Sequence, residues 1–165
     1  MQQNLLKYIY TVFLGILIVT FIGLGIDTFY PSPQYPDYPA ELERAYYPDK
    51  DDGLSEEEIA LQEEFDRKSE EFSQLIATYN RNVSIISLVS AVIILIISLG
   101  FSKKLDMLAD GVLLGGILTL AYGIIRGFGA DDPTFRFIVI TVGLIVAIIL
   151  GYIRFVNPTV YSKSS

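Results

Sequence analysis

Four apolar stretches of 18 to 22 residues, Leu5–Ile26, Val83–Phe101, Leu108–Ile125 and Phe137–Phe155, leave this chain few ways to fold. A helix rises 1.5 Å per residue, so each stretch is long enough to cross a hydrocarbon layer of roughly 30 Å. Lipid offers backbone groups no hydrogen-bond partner, and helices satisfy them internally. The expectation is an all-α membrane protein with four transmembrane helices. The short turns at 102–107 and 126–136 make the last three spans antiparallel neighbours. Lys7 sits near the end of the first span, where its stem can snorkel to the headgroups. The apolar run after Lys7 exceeds a typical signal-peptide core and the preceding segment is barely basic, so this span reads as retained, although Gly23 and Gly25 would tolerate a peptidase.

Between the first two spans lies a segment of different chemistry. Residues 27–82 hold 15 of the 19 acids and 5 of the 12 basic residues, a net charge of −10 against +3 for the rest of the chain. Lys and Arg near span ends set orientation. With the N-terminus inside, Lys7, Lys103, Lys104, Arg154 and Lys163 face the cytoplasm, and Arg81, Arg126 and Arg136 face outward. Both termini are therefore expected in the cytoplasm of a plasma or inner membrane, with residues 27–82 extracytoplasmic. An acidic segment repels nucleic acid and anionic headgroups, which excludes nucleic acid as a partner of that face.

The acidic segment has two halves. Pro31, Pro33, Pro36, Pro39 and Pro48 alternate with Tyr30, Tyr35, Tyr38, Tyr46 and Tyr47. Prolines this close fix φ and remove donors, so Tyr30 to Pro39 is expected to be extended. At Ser55 the pattern changes: Ser55 with Glu58 forms a capping box, and Glu56, Glu57 and Glu58 suit the positive end of a helix. Glu63 with Arg67 and Glu64 with Lys68 are i,i+4 pairs. Leu61, Phe65, Lys68, Phe72, Leu75, Tyr79, Asn82 and Ile86 follow steps of 4, 3, 4, 3, 4, 3 and 4, a heptad seam running into the second span. One helix from Ser55 to about Phe101 is predicted, its first 28 residues projecting roughly 40 Å. The apolar edge needs cover. Either copies of the helix pair with one another, or the Pro/Tyr strip folds back along it. The 26 residues Asp27–Asp52 reach about 80 Å when extended, enough for the second.

The chain accordingly divides into a first transmembrane helix (1–26), a Pro/Tyr-rich acidic segment (27–54), a long helix whose outer part leads into the second span (55–101), a third span (102–127), and an outer turn, fourth span and tail (128–165). Helices in lipid associate through small residues that let backbones approach. Gly111, Gly115, Thr119, Gly123 and Gly127 recur every four residues in the third span. The fourth has Gly143, Ala147 and Gly151, the first Thr11, Gly15 and Gly23, and the second Ser84, Ser87 and Ala91. These are the expected packing surfaces.

Chemistry is sparse. With no His and no Cys, the chain lacks the usual haem, zinc and iron–sulfur ligands and the Ser-His and Cys-His nucleophile pairs. No acid lies near the middle of a span. Asp110, one turn inside the third span, reads as a local charge near Asp106, Lys103 and Lys104. Asp131 and Asp132, in the turn Arg126–Arg136, are the weak candidates for a hard cation, with Arg126 and Arg136 competing for them; Asp132 or Thr134 also suits a helix cap before Pro133. No cofactor is expected. The leading functional expectation is a non-enzymatic membrane accessory or scaffold protein that presents an acidic helical outer domain to another membrane protein or to a second copy. The alternative is a subunit of a cation or small-solute channel or transporter with an acidic vestibule.

Overall fold

The computed structural model describes residues 2–45, 55–101 and 106–156, and these are helical apart from short connections and the stretch 31–39. Tyr46, Tyr47 and Pro48 of the Pro/Tyr strip, and Lys103, Lys104 and Lys163 of the charge argument, lie outside the described residues. The helices are α1 (Gln2–Phe29), α2 (Ala40–Ala45), α3 (Glu56–Phe101), α4 (Asp106–Phe128) and α5 (Pro133–Gly151), the last followed by a π-helical turn, Tyr152–Val156. Four of them, α1, α3, α4 and α5, are long and apolar enough to cross a membrane.

The helix starts follow local chemistry. Ser55 N–H donates to Glu58 Oε2 at 2.7 Å and Glu58 N–H to Ser55 Oγ at 3.3 Å, the reciprocal bonds of the capping box. Asp132 caps α5: its Oδ1 accepts from Thr134 N–H at 2.9 Å and Phe135 N–H at 3.2 Å, with Pro133 in the first turn where no amide donor is needed. Asp132→Ala is expected to cost about 1 kcal/mol and lower the melting temperature in detergent by about 2–4 °C. An unchanged melting curve would show the cap to be energetically silent.

α4 is the centre of the bundle, packing most extensively on α3, next on α1, and least on α5. One core cluster joins α3, α4 and α5 through Leu88, Ala91, Leu120 and Val139; a second joins α1 and α3 through Ile26, Tyr79 and Val83, with Tyr122 of α4 against it. Serine hydroxyls tie α3 to α4 where small residues bring the backbones close. Ser84 Oγ donates to the Gly123 carbonyl at 2.7 Å and Ser98 Oγ to that of Ala109 at 2.8 Å. Thr119 is fully buried and returns its hydroxyl to Gly115 O within its own helix.

α3 runs on past this bundle, and residues 55 to about 78 form an arm. The strip at 31–39 folds back along that arm and ends in α2. This six-residue helix begins directly after the stretch Tyr30 to Pro39 that was expected to be extended, where Ala, Glu and Leu, all good helix formers, follow. Leu42 of α2 is 5% exposed and anchors it.

Candidate functional site

The arm is a two-layer structure built by aromatic contacts within one chain. Tyr35 meets Phe72 edge-on with ring centroids 5.1 Å apart and also approaches Phe65; Tyr38 meets Phe65 at 5.0 Å. At the base Tyr30 stacks on Tyr79 at 5.3 Å, and Asn82 Nδ2 donates to the Tyr30 hydroxyl at 2.9 Å. Such ring pairs are worth about 0.5–1.5 kcal/mol each beyond the area they bury. The Pro/Tyr strip thus lies against the apolar edge of its own arm.

The covered line differs from the heptad seam at three positions, with Ser69, Ile76 and Val83 in place of Lys68, Leu75 and Asn82. Leu61, Phe65, Phe72 and Tyr79 lie on it, but Leu75 is 58% exposed and Ile76 packs into the cluster with Tyr79. Lys68 turns out to Glu64, at 2.8 Å, and Ser69 takes its place beneath the strip. The steps from Leu61 to Val83 through Ser69 and Ile76 are 4, 4, 3, 4, 3 and 4. A strict seven-residue repeat drifts about 20° per heptad around a straight helix, and only a supercoiled partner helix would follow it. An extended strip does not supercoil with α3, so it follows the ordinary helical face.

Charge is distributed by side-chain geometry. Hydrogen bonding to Lys68, then its charge, holds the Glu64 carboxyl below the usual carboxylate range. Arg67 turns forward to Glu71 at 3.0 Å instead of back to Glu63. Glu63, Asp66 and Glu70, spaced at 3 and 4 on the face away from the strip, are exposed and make no ion pair among the described residues.

A polar joint sits where the arm meets the bundle. Arg126, in the last turn of α4, donates from Nη1 to Asn80 Oδ1 at 3.2 Å and from Nε to the Tyr122 hydroxyl at 3.1 Å. Its guanidinium lies 5.8 Å from the Tyr79 ring centre and 5.5 Å from that of Tyr122. Asn80 in turn reaches the Gly129 carbonyl. Arg126 was expected to compete for Asp131 and Asp132. It turns instead to Asn80 and two tyrosines, where helix dipole and ring quadrupoles both favour the cation. Sequence reading missed Asn80 and Tyr122; their one-sided placement with Tyr79, within reach of a helix-end arginine, was the available signal.

The weak cation candidates, Asp131 and Asp132, have other contacts. Asp132 Oδ1 caps α5, Asp131 is 94% exposed and 3.9 Å from Arg136, and Arg136 donates to Ala130 O. No group of three or more acidic, His or Cys side chains converges to hold a metal among the described residues.

The small-residue positions divide between neighbours. A Cβ at Gly111 would meet Leu14 at 2.6 Å and one at Gly115 would meet Ile18 at 2.8 Å, both on α1. Gly123 lies against Ser87 and Leu88 of α3, and Gly127 against Ser84 and against Val139 of α5. Positions four apart advance about 40° around a 3.6-residue helix, so a stripe that starts against one neighbour ends against the next. Gly116, outside the stripe, meets Leu95 of α3. On α5, Gly143 abuts Ile124, whereas Ala147 is exposed and Gly151 faces open space. Gly15 of α1 meets Leu114; Gly23 meets nothing within 4 Å.

At the bundle end remote from the arm, Asp110 of α4 pairs with Arg154 of the π-helical turn. Asp110 was expected to find a local partner; the antiparallel packing of α4 and α5 brings a distant one. Searches against protein-family models, curated proteins and solved structures found no match to this chain.

Proposed function

We propose that this four-helix protein is a non-enzymatic accessory or scaffold subunit of a plasma or inner membrane. In this reading residues 27–82 are extracytoplasmic, both termini are cytoplasmic, and the arm presents an acidic surface to a partner membrane protein. The observation that carries the reading is the stacking of Tyr30, Tyr35 and Tyr38 onto Tyr79, Phe72 and Phe65. A chain that seals the apolar edge of its own helix needs no second copy to hold it upright. What it then offers is a braced rod with Glu63, Asp66 and Glu70 along its open face.

The chain has no native cysteine, so single substitutions report cleanly. Ser73→Cys on the arm is expected to react with a membrane-impermeant maleimide in intact cells, and Ser164→Cys only after permeabilisation. A photo-crosslinker at Glu70 is expected to give one discrete adduct in native membranes. Its yield should fall several-fold with Glu63→Lys and Asp66→Lys, and with salt high enough to shorten the Debye length to about 3 Å. Reversed labelling would overturn the topology. Saturable cation flux through the purified protein in vesicles, with no adduct, would replace the scaffold with a channel subunit.

A further inference from the structure

We infer that Tyr35 and Tyr38 form a two-ring platform that takes arginine side chains from an extended segment of a partner, with Asp37 supplying the carboxylate beside them. This rests on the scaffold reading, in which the arm meets a partner, and names that partner's chemistry on the strip side of the arm. Burial along the strip repeats every third residue: Pro33, Pro36 and Pro39 are part-buried, and the residues between them are exposed. That is the period of a polyproline II helix, which rises about 3.1 Å per residue and sets Tyr35 and Tyr38 on one side about 9 Å apart. Phe65 and Phe72 are two turns apart on α3, about 10.5 Å along its axis. The two spacings nearly match, so one ring of the strip seats on each phenylalanine, Tyr38 on Phe65 and Tyr35 on Phe72.

Both contacts are edge-on, and Tyr35 and Tyr38 stay 61% and 54% exposed. Rings pinned on one side and open on the other are pre-organised, so little ordering entropy is lost when a ligand arrives, and tyrosine is among the residues that dominate binding energy at interfaces. Charge selects the ligand. Residues 27–82 carry a net charge of −10, which draws cations to this surface. The nearby cations of the arm are engaged, Lys68 with Glu64 and Arg67 with Glu71, and among the described residues none lies over Tyr35 or Tyr38. Asp37, the exposed neighbour of Tyr38, makes no ion pair or hydrogen bond among the described residues. Arginine fits better than lysine, because its planar and weakly hydrated guanidinium stacks on an aromatic face while its N–H groups reach a carboxylate. The chain already uses this pairing at the base of the arm, where Arg126 lies over Tyr79 and Tyr122. Two arginines three residues apart in an extended partner segment have the spacing of the two rings.

The full chain in phosphatidylcholine nanodiscs is titrated with a fluorescent proline-rich peptide carrying arginine at every third position, and with its lysine counterpart, binding being read by anisotropy. Wild type is expected to bind the arginine peptide about fivefold more tightly than the lysine peptide. Tyr35→Phe with Tyr38→Phe keeps both rings and should keep that preference. Tyr35→Leu with Tyr38→Leu keeps apolar contact with Phe72 and Phe65 but removes the ring faces, and should bind the two peptides equally. Asp37→Asn should weaken both peptides about threefold and leave the preference intact. Protease resistance of residues 31–45 reports whether the leucine pair leaves the strip docked; where it does not, Asp37→Asn decides, and an unchanged affinity there overturns the site. Equal binding of the two peptides by wild type overturns the platform, as does a preference that survives the leucine pair with the strip docked. Binding lost only with Glu63→Lys and Asp66→Lys overturns it in favour of the opposite face. Failure of the scaffold reading shows separately, as cation flux with no adduct at Glu70.

Discussion

Gly115→Leu is expected to lower the melting temperature of the detergent-solubilised protein by roughly 6 °C or more. A Cβ at this position would lie 2.8–2.9 Å from three carbons of Ile18, and the remaining three carbons of leucine would have to displace α1 altogether. Ile18 is β-branched, so one rotamer dominates and it cannot swing aside cheaply. Overpacking a tight contact costs about 1–3 kcal/mol, and the upper end applies where a whole helix must move. In lipid the loss is not offset by burying the new side chain, because acyl chains solvate leucine as well as protein does. Gly116→Leu tests the face of α4 turned toward α3, about 100° around the helix, where Leu95 stands 2.6 Å from the added carbon, and is expected to be at least as damaging. Gly151→Leu is the control: it adds the same atoms to the same kind of helix, into open space, and should shift melting by less than about 2 °C. Equal melting of all three variants would mean that α4 is not wedged between α1 and α3.

This contrast also shows where sequence reading reaches and where it stops. The four spans were legible because lipid leaves a helix no alternative, so length and apolarity suffice. The capping box at Ser55 and Glu58 and the cap at Asp132 were legible because both are local. Partner assignment was not. A glycine stripe announces close approach but not to which neighbour, and the 40° advance per step carried Gly111 and Gly123 to different helices. Asp110 found Arg154 and Arg126 found Asn80, partners 44 and 46 residues away, because antiparallel packing rather than sequence spacing sets those meetings. Gly143, Ala147 and Gly151 follow one pattern, yet only the first is pressed against another helix.

Ile76→Asp and Phe72→Asp are expected to release the Pro/Tyr strip, and Leu75→Asp to leave it in place. By the heptad pattern Leu75 is the seam residue and Ile76 is not, so the comparison decides between a supercoiled seam and a straight helical face. Phe72 supports Tyr35 through an edge contact, and Ile76 packs beside Tyr79, on which Tyr30 stacks. Placing a carboxylate at either position removes an aromatic or aliphatic contact and sets an unpaired charge against rings, about 2 kcal/mol in all. Strip and arm meet through a few such contacts, so that loss should raise the open population about thirtyfold. Proteolysis tracks this population when opening and closing outpace cleavage. A broad-specificity protease should therefore cut within 31–45 some thirty times faster in both variants. Leu75 is more than half exposed, so its aspartate meets water and the rate should stay within about twofold of wild type. Fast cleavage of Leu75→Asp with a resistant Ile76→Asp would mean that the arm's apolar edge follows the heptad, and that a second helix, not the tyrosine strip, covers it.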